Sequence, residues 1–143
     1  VFADINTMLD DSEREDTTRK QLIEARLGQG KFREDLEDYW KSCAVTGIQE
    51  RSMLRASHIQ PWKDSSAEER LDPFNGLLLT ANLDAAFDVH LISFNNYGQI
   101  IISKRFTEAK SLGINPDMKL RTIKGEHQKY LSIRLRTFLE SDQ

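Results

Sequence analysis

The hydrophobic period of this chain switches from helical to extended near residue 43, and that switch limits the folds open to it. Up to Trp40 the apolar residues recur at helical spacing: Leu22, Ile23 and Leu27 in "DTTRKQLIEARLGQG", then Phe32, Leu36, Tyr39 and Trp40 in "GKFREDLEDYW". Asp16 or Thr17 can cap the first run and Gly28 can stop it, so the spacing predicts a pair of helices. From Cys43 the pattern is extended: "CAVTG" and "SMLRASHI" read as two short strands joined by a turn over 43–59, and "NGLLLT" as a buried strand. "ANLDAAFDVH" reads as a short helix capped by Thr80 or Asn82. "LISF" and "QIIIS", flanking Asn95-Asn96-Tyr97-Gly98, form the clearest hairpin, and "GEHQKYLSIRLRTFLE" returns to helical spacing. Strands and helices in this order predict an α+β fold.

At 143 residues the chain has room for one core, so 1–143 is read as a single domain. No apolar run approaches the roughly 20 residues that span a bilayer, which argues against a membrane partner. The first residues show no basic stretch followed by an apolar one, as an export signal requires, although Val1 can be a truncation point. Cys43 is the only cysteine. Intramolecular disulfides and multi-thiolate zinc sites are thereby excluded, and a reducing cytoplasm fits.

The net charge of −3 is unevenly distributed. Residues 1–16 carry six acidic side chains against Arg14 alone, whereas 104–136 carries nine basic against three acidic. The basic end permits docking of a polyanion, although basic stretches are more often solvated surface. Arg55, Lys63, Lys104 and Arg105 are candidate contacts to a polyanion's backbone, and solubility charges on the bland reading.

The side chains able to do chemistry fall in one order: His58 at a strand end, a polar loop over 60–74 with two prolines, Asn75 before a second strand, then Asp84 and Asp88 on a helix. Two carboxylates four residues apart share one helix face with Cβ atoms about 5–6 Å apart, so they repel or share a cation. Oxygen ligands of this kind suit Mg²⁺ or Mn²⁺ better than zinc. Each residue alone has a plainer reading: a hydrogen-bonded structural histidine, turn punctuation at Asn75-Gly76, acids favouring a helix N-terminus. Trp40 and Trp62 read as packing, and His90 and His127 as structural.

"CAVTG", "SHIQPW", "LDPFNGLLL" and "NLDAAFD" followed by "LISF" resemble the HNH endonuclease family, whose ββα-metal motif is built on two strands and a helix. The resemblance spans about 26–103, with "RLGQGKFR" similar to the helical lead-in of bacterial members. It implies a helical lead-in over 1–40, the motif over 43–90, an added hairpin over 91–103 and a basic C-terminal helical part over 104–143. His58 then matches the general base and Asn75 the asparagine that ties the loop to the strand and keeps the histidine oriented. Asp84 stands where many members have a third histidine, so this chain spells His-Asn-Asp, and Asp88 takes the second helix position. Structural zinc, held by cysteine pairs in many members, is not expected.

Phosphodiester hydrolysis needs a base for water, charge compensation at the phosphate and stabilisation of the leaving 3′ oxygen. An imidazole near its ordinary pKa of about 6.5 supplies the first at neutral pH, and one divalent cation the other two. The expectation is an endonuclease cutting DNA with Mg²⁺ or Mn²⁺ in a bacterial or phage restriction or defence setting. A homodimer or larger restriction-type assembly would place two sites for cutting both strands. The alternative is an HNH-fold module that binds nucleic acid or protein with impaired catalysis, motivated by Asp84 and the negative net charge.

Overall fold

A computed structural model describes residues 15–142. The acidic excess read over 1–16 therefore lies almost wholly outside the described residues. The expected helical pair is one helix, α1 (Glu15–Trp40), running through Gly28 and Gly30. Glycine weakens a helix interior by only about 1 kcal/mol, whereas Phe32, Leu36 and Trp40 bury one continuous face. At Gly28 the missing side chain has a use, since an added Cβ would lie 3.3 Å from Leu71. Lys41, at φ 65°, ends the helix in the left-handed conformation of a C-terminal cap.

Residues 43–47 are a turn and not the first strand of a pair. Its backbone is satisfied locally, by Gly47 N–H donating to the Cys43 carbonyl, and against the sheet, by Ala44 N–H donating to the Leu78 carbonyl. Arg121 donates to the Trp40, Ser42 and Cys43 carbonyls and so pins the same segment from the far end of the chain. The first strand is β1 (Leu54–His58), and its partner is β2 (Gly76–Thr80), antiparallel, with Leu54 opposite Thr80 and His58 opposite Gly76.

The 60–74 connection is not bare loop: it contains α2 (Ala67–Leu71), opened by a capping box between Ser66 and Glu69, and tight helical turns at Trp62–Asp64 and Pro73–Asn75. β2 is buried throughout and runs directly into α3 (Ala81–Asp88). The hairpin is present as β3 (Ile92–Phe94) and β4 (Ile100–Ile102). Its turn is held by Asn95 Oδ1, which accepts from the Tyr97 and Gln99 amides, and by Gly98 at φ 82°.

Residues 104–124, expected to be helical, are mostly irregular, anchored by buried Ala109, Ile114 and Leu120. α4 (Gly125–Ser141) follows. Its inward face is His127, Tyr130, Leu131, Arg134 and Phe138, while Ile133 and Leu139 face out. One apolar cluster, from Phe32 through the strands to Leu131, joins α1, the four strands, α3 and α4. No helix among the described residues is long and apolar enough to cross a membrane.

Candidate metal centre and nucleic-acid cleft

His58 ends β1 with its ring buried between a helix and a carbonyl. The Phe32 ring of α1 stacks on the imidazole at 3.9 Å between centroids and 3° between planes. That approach explains Gly76. The residue is extended, at φ −149° and ψ 153°, so no turn requires glycine there. A Cβ at Gly76 would instead fall 2.9 Å from both Leu36 methyls and closer still to Phe32 Cζ.

His58 Nε2 lies 2.9 Å from the Arg70 carbonyl. A carbonyl only accepts, so Nε2 carries the hydrogen, and Nδ1 is buried on the other side of the ring. Asn75 maintains this arrangement from a distance. It is fully buried and lies outside the cavity wall, with Oδ1 accepting from the Gln60 amide at 2.8 Å and Nδ2 donating to the Glu69 carbonyl at 3.0 Å. It thus holds both ends of the connection that presents the Arg70 carbonyl. Arg70 itself is fixed by Nε donating to the Trp62 carbonyl and by its guanidinium lying 3.6 Å over the Trp62 ring.

The i, i+4 spacing on α3 brings Asp84 and Asp88 to the same hollow as His58, a cavity of about 820 Å³. Asp84 Oδ1 accepts from Ser57 Oγ, which tethers the helix carboxylate to the strand beside His58. Arg26 and Arg33 of α1, Arg55 of β1 and Arg134 of α4 complete the cavity's charged lining. Four arginines against two aspartates make the hollow positive in a chain whose net charge is −3. Arg33 is partly engaged, donating to the Leu54 and Arg51 carbonyls, and Arg55 donates to the Ser52 carbonyl.

Of the other sequence candidates, Lys63, Lys104 and Arg105 are exposed and lie outside the cavity wall. Arg105 reaches the His90 carbonyl. His90 and His127 stay out of the cavity, and burial pushes both imidazoles below the ordinary histidine value. Trp40 is packed in the core as expected, while Trp62 is both packed and part of the cavity wall.

Arg134, like Arg26 and Arg33, lines the cavity without having stood out in the sequence, and it is the buried one of the three. It is 2% exposed, donates to the Ile59 carbonyl at 3.2 Å and to the Phe87 carbonyl, and lies 4.4 Å over the Phe87 ring. Burial lowers its pKa to about 10, against the pull of Asp88 and Asp84, which favour the charged form. Its position, four residues from both Tyr130 and Phe138, put a guanidinium on the apolar stripe, and that was the available signal.

Among the described residues no group of three or more His, Cys, Asp or Glu side chains could hold a metal ion. Two carboxylates on one face of a solvent-reachable cavity fit a hydrated hard cation, which keeps several of its waters, and do not fit zinc, which needs a fuller set of protein ligands. Residues 43–95, from the turn before β1 into the first residue after β3, match the family model described as HNH endonuclease. No match to a curated protein was found.

Proposed function

We propose that this chain, whose residues 43–95 match the HNH endonuclease model, hydrolyses DNA phosphodiester bonds with a divalent cation held by Asp84 and Asp88. The observation that carries the reading is the sharing of one cavity by His58, both carboxylates and four arginines. The lead-in resemblance to bacterial members supports a restriction or defence setting.

In this mechanism His58 acts as the base. Its Nε2 faces the Arg70 carbonyl at 2.9 Å and Phe32 covers one face of the ring, so the imidazole is held in one orientation at the edge of the cavity that receives the phosphodiester. Arg26 and Arg55 lie on the exposed side of the cavity and supply phosphate contacts that hold the backbone in place. A bound Mg²⁺ or Mn²⁺ supplies charge compensation at the phosphate and the leaving 3′ oxygen. Asn75 acts on the reaction only by holding the 60–74 connection, a positioning role.

The test is cleavage of supercoiled plasmid with Mg²⁺ or Mn²⁺ by the wild-type chain and by His58→Ala. Metal-dependent cutting that disappears in a folded His58→Ala variant is expected. Cutting by neither protein, with DNA still bound, overturns the reading and favours a binding module with impaired catalysis, which Asp84 and its hydrogen bond to Ser57 would then explain.

A further inference from the structure

A buried arginine ordinarily faces a carboxylate partner, because a desolvated charge is costly when left uncompensated. Among the described residues Arg134 has no ion pair, and its Nε has no hydrogen-bond partner. Its other two nitrogens donate to main-chain carbonyls, of Ile59 just after His58 and of Phe87 between the two aspartates. The guanidinium therefore stands in the cavity wall beside Asp84 and Asp88 without neutralising either by direct contact.

Arg134 lies beyond residues 43–95, so the matched segment does not account for it. The cavity wall carries four arginines against two aspartates, and Arg134 is the buried one of the four. A divalent cation adds to that positive charge and a phosphodiester offsets it, so each favours the other.

We infer that Arg134 makes cation and nucleic-acid binding interdependent: its charge weakens the hold of Asp84 and Asp88 on a divalent cation until a phosphodiester enters the cavity. This rests on the cation site of the preceding subsection. By linkage the same charge must make DNA bind more tightly when the cation is present. The role differs from bracing in its sign. If Arg134 only braced the Ile59 and Phe87 segments, its loss would loosen the carboxylates and weaken cation binding. If its charge matters as inferred, neutral replacement must tighten it.

The experiment is a calorimetric Mn²⁺ titration, with and without a short DNA duplex, in a His58→Ala background that prevents cutting. Arg134→Gln is neutral and still able to donate to a carbonyl; Arg134→Met is a second neutral variant should the first fail to fold. The neutral variant should bind Mn²⁺ about three- to tenfold more tightly than its parent in the absence of DNA, the scale of one unit charge near a protein surface. DNA should then improve its Mn²⁺ affinity less than it improves the parent's. Arg134→Lys, which keeps the charge, should retain the parent's weaker affinity. Equal or weaker Mn²⁺ binding in the neutral variant, or tightening in Arg134→Lys as well, overturns the inference and leaves the cation site standing. Absence of Mn²⁺ binding by the parent overturns the cation site itself, and this inference with it.

Discussion

Gly76→Ala is the sharpest test of how this fold holds His58. The backbone at Gly76 is ordinary extended strand, at φ −149° and ψ 153°. On backbone grounds alone alanine should therefore stabilise the protein, by about 0.4–1 kcal/mol through the unfolded chain. The surroundings say the opposite, because the new methyl would lie 2.9 Å from two Leu36 methyls and nearer to Phe32 Cζ. Phe32 and Leu36 are fully buried and neither can swing into solvent. Overpacking of this kind costs about 1–3 kcal/mol. At roughly 3–4 °C per kcal/mol for a chain of this length, the melting temperature should fall by about 3–12 °C.

The displaced group is the ring stacked on His58, so activity should suffer beyond stability. A misplacement of about 1 Å can cost on the order of a hundredfold in rate. Thermal melts by circular dichroism, paired with plasmid cleavage well below the melting temperature, measure the two effects separately. Adding Phe32→Leu should recover part of the lost stability, giving a favourable coupling in the double-mutant cycle. A Gly76→Ala protein that melts at or above the wild-type temperature and cuts at the wild-type rate would refute the reasoning, because it would mean that no close contact at Gly76 supports His58.

Three further outcomes follow from the same geometry. Asn75→Ala should cost about 1–3 kcal/mol, since it leaves the buried Gln60 amide without its partner and the Glu69 carbonyl with the Asp72 amide alone, as read by urea denaturation. Stability should fall as pH drops below about 7: burial holds His90 and His127 below their unfolded value, so the unfolded chain takes up more protons there. His127→Phe should flatten part of that slope in melts at pH 7.5 and 5.5. In anisotropy measurements on the His58→Ala background, Arg26→Ala and Arg55→Ala should each lower the salt dependence of DNA binding by about 0.9 in log–log slope, whereas Lys104→Ala, outside the cavity, should change it less.

Much of the sheet and its site was legible because the deciding signals are local. β2, α3, the hairpin and α4 follow from apolar runs and period alone, and the spacing of Asp84 and Asp88 fixes their common face. Errors arose where a tertiary partner overrode a local preference. Gly28 reads as a stop, yet it lies within a helix that packs against Leu71 of α2, forty-three residues onward. Gly76 falls in the strand that "NGLLLT" predicts, but the reason it is glycine, a ring from α1 packed against it, has no local signal. "CAVTG" has strand-forming residues but meets β2 through the Ala44 amide on the Leu78 carbonyl, while its own Gly47–Cys43 bond and Arg121 hold it as a turn.

Arg134 shows why a positive charge in a sequence has no fixed meaning. In a count of charges over 104–136 it is one of nine basic residues and suggests a solvated, DNA-facing end. In the fold it is the one buried among those nine, while Lys104 and Arg105 remain exposed. Helical period alone separates it from them: Tyr130, Arg134 and Phe138 recur every four residues on the face that enters the core. A polar residue at an inward position costs stability unless something there uses it, and what lies there is a pair of carboxylates and a base from a segment that ended about forty residues earlier. The matched family segment supplies the groups that would act on a phosphodiester. The helices outside it, α1 with Phe32 and α4 with Arg134, supply the stacking and the charge that set how those groups behave.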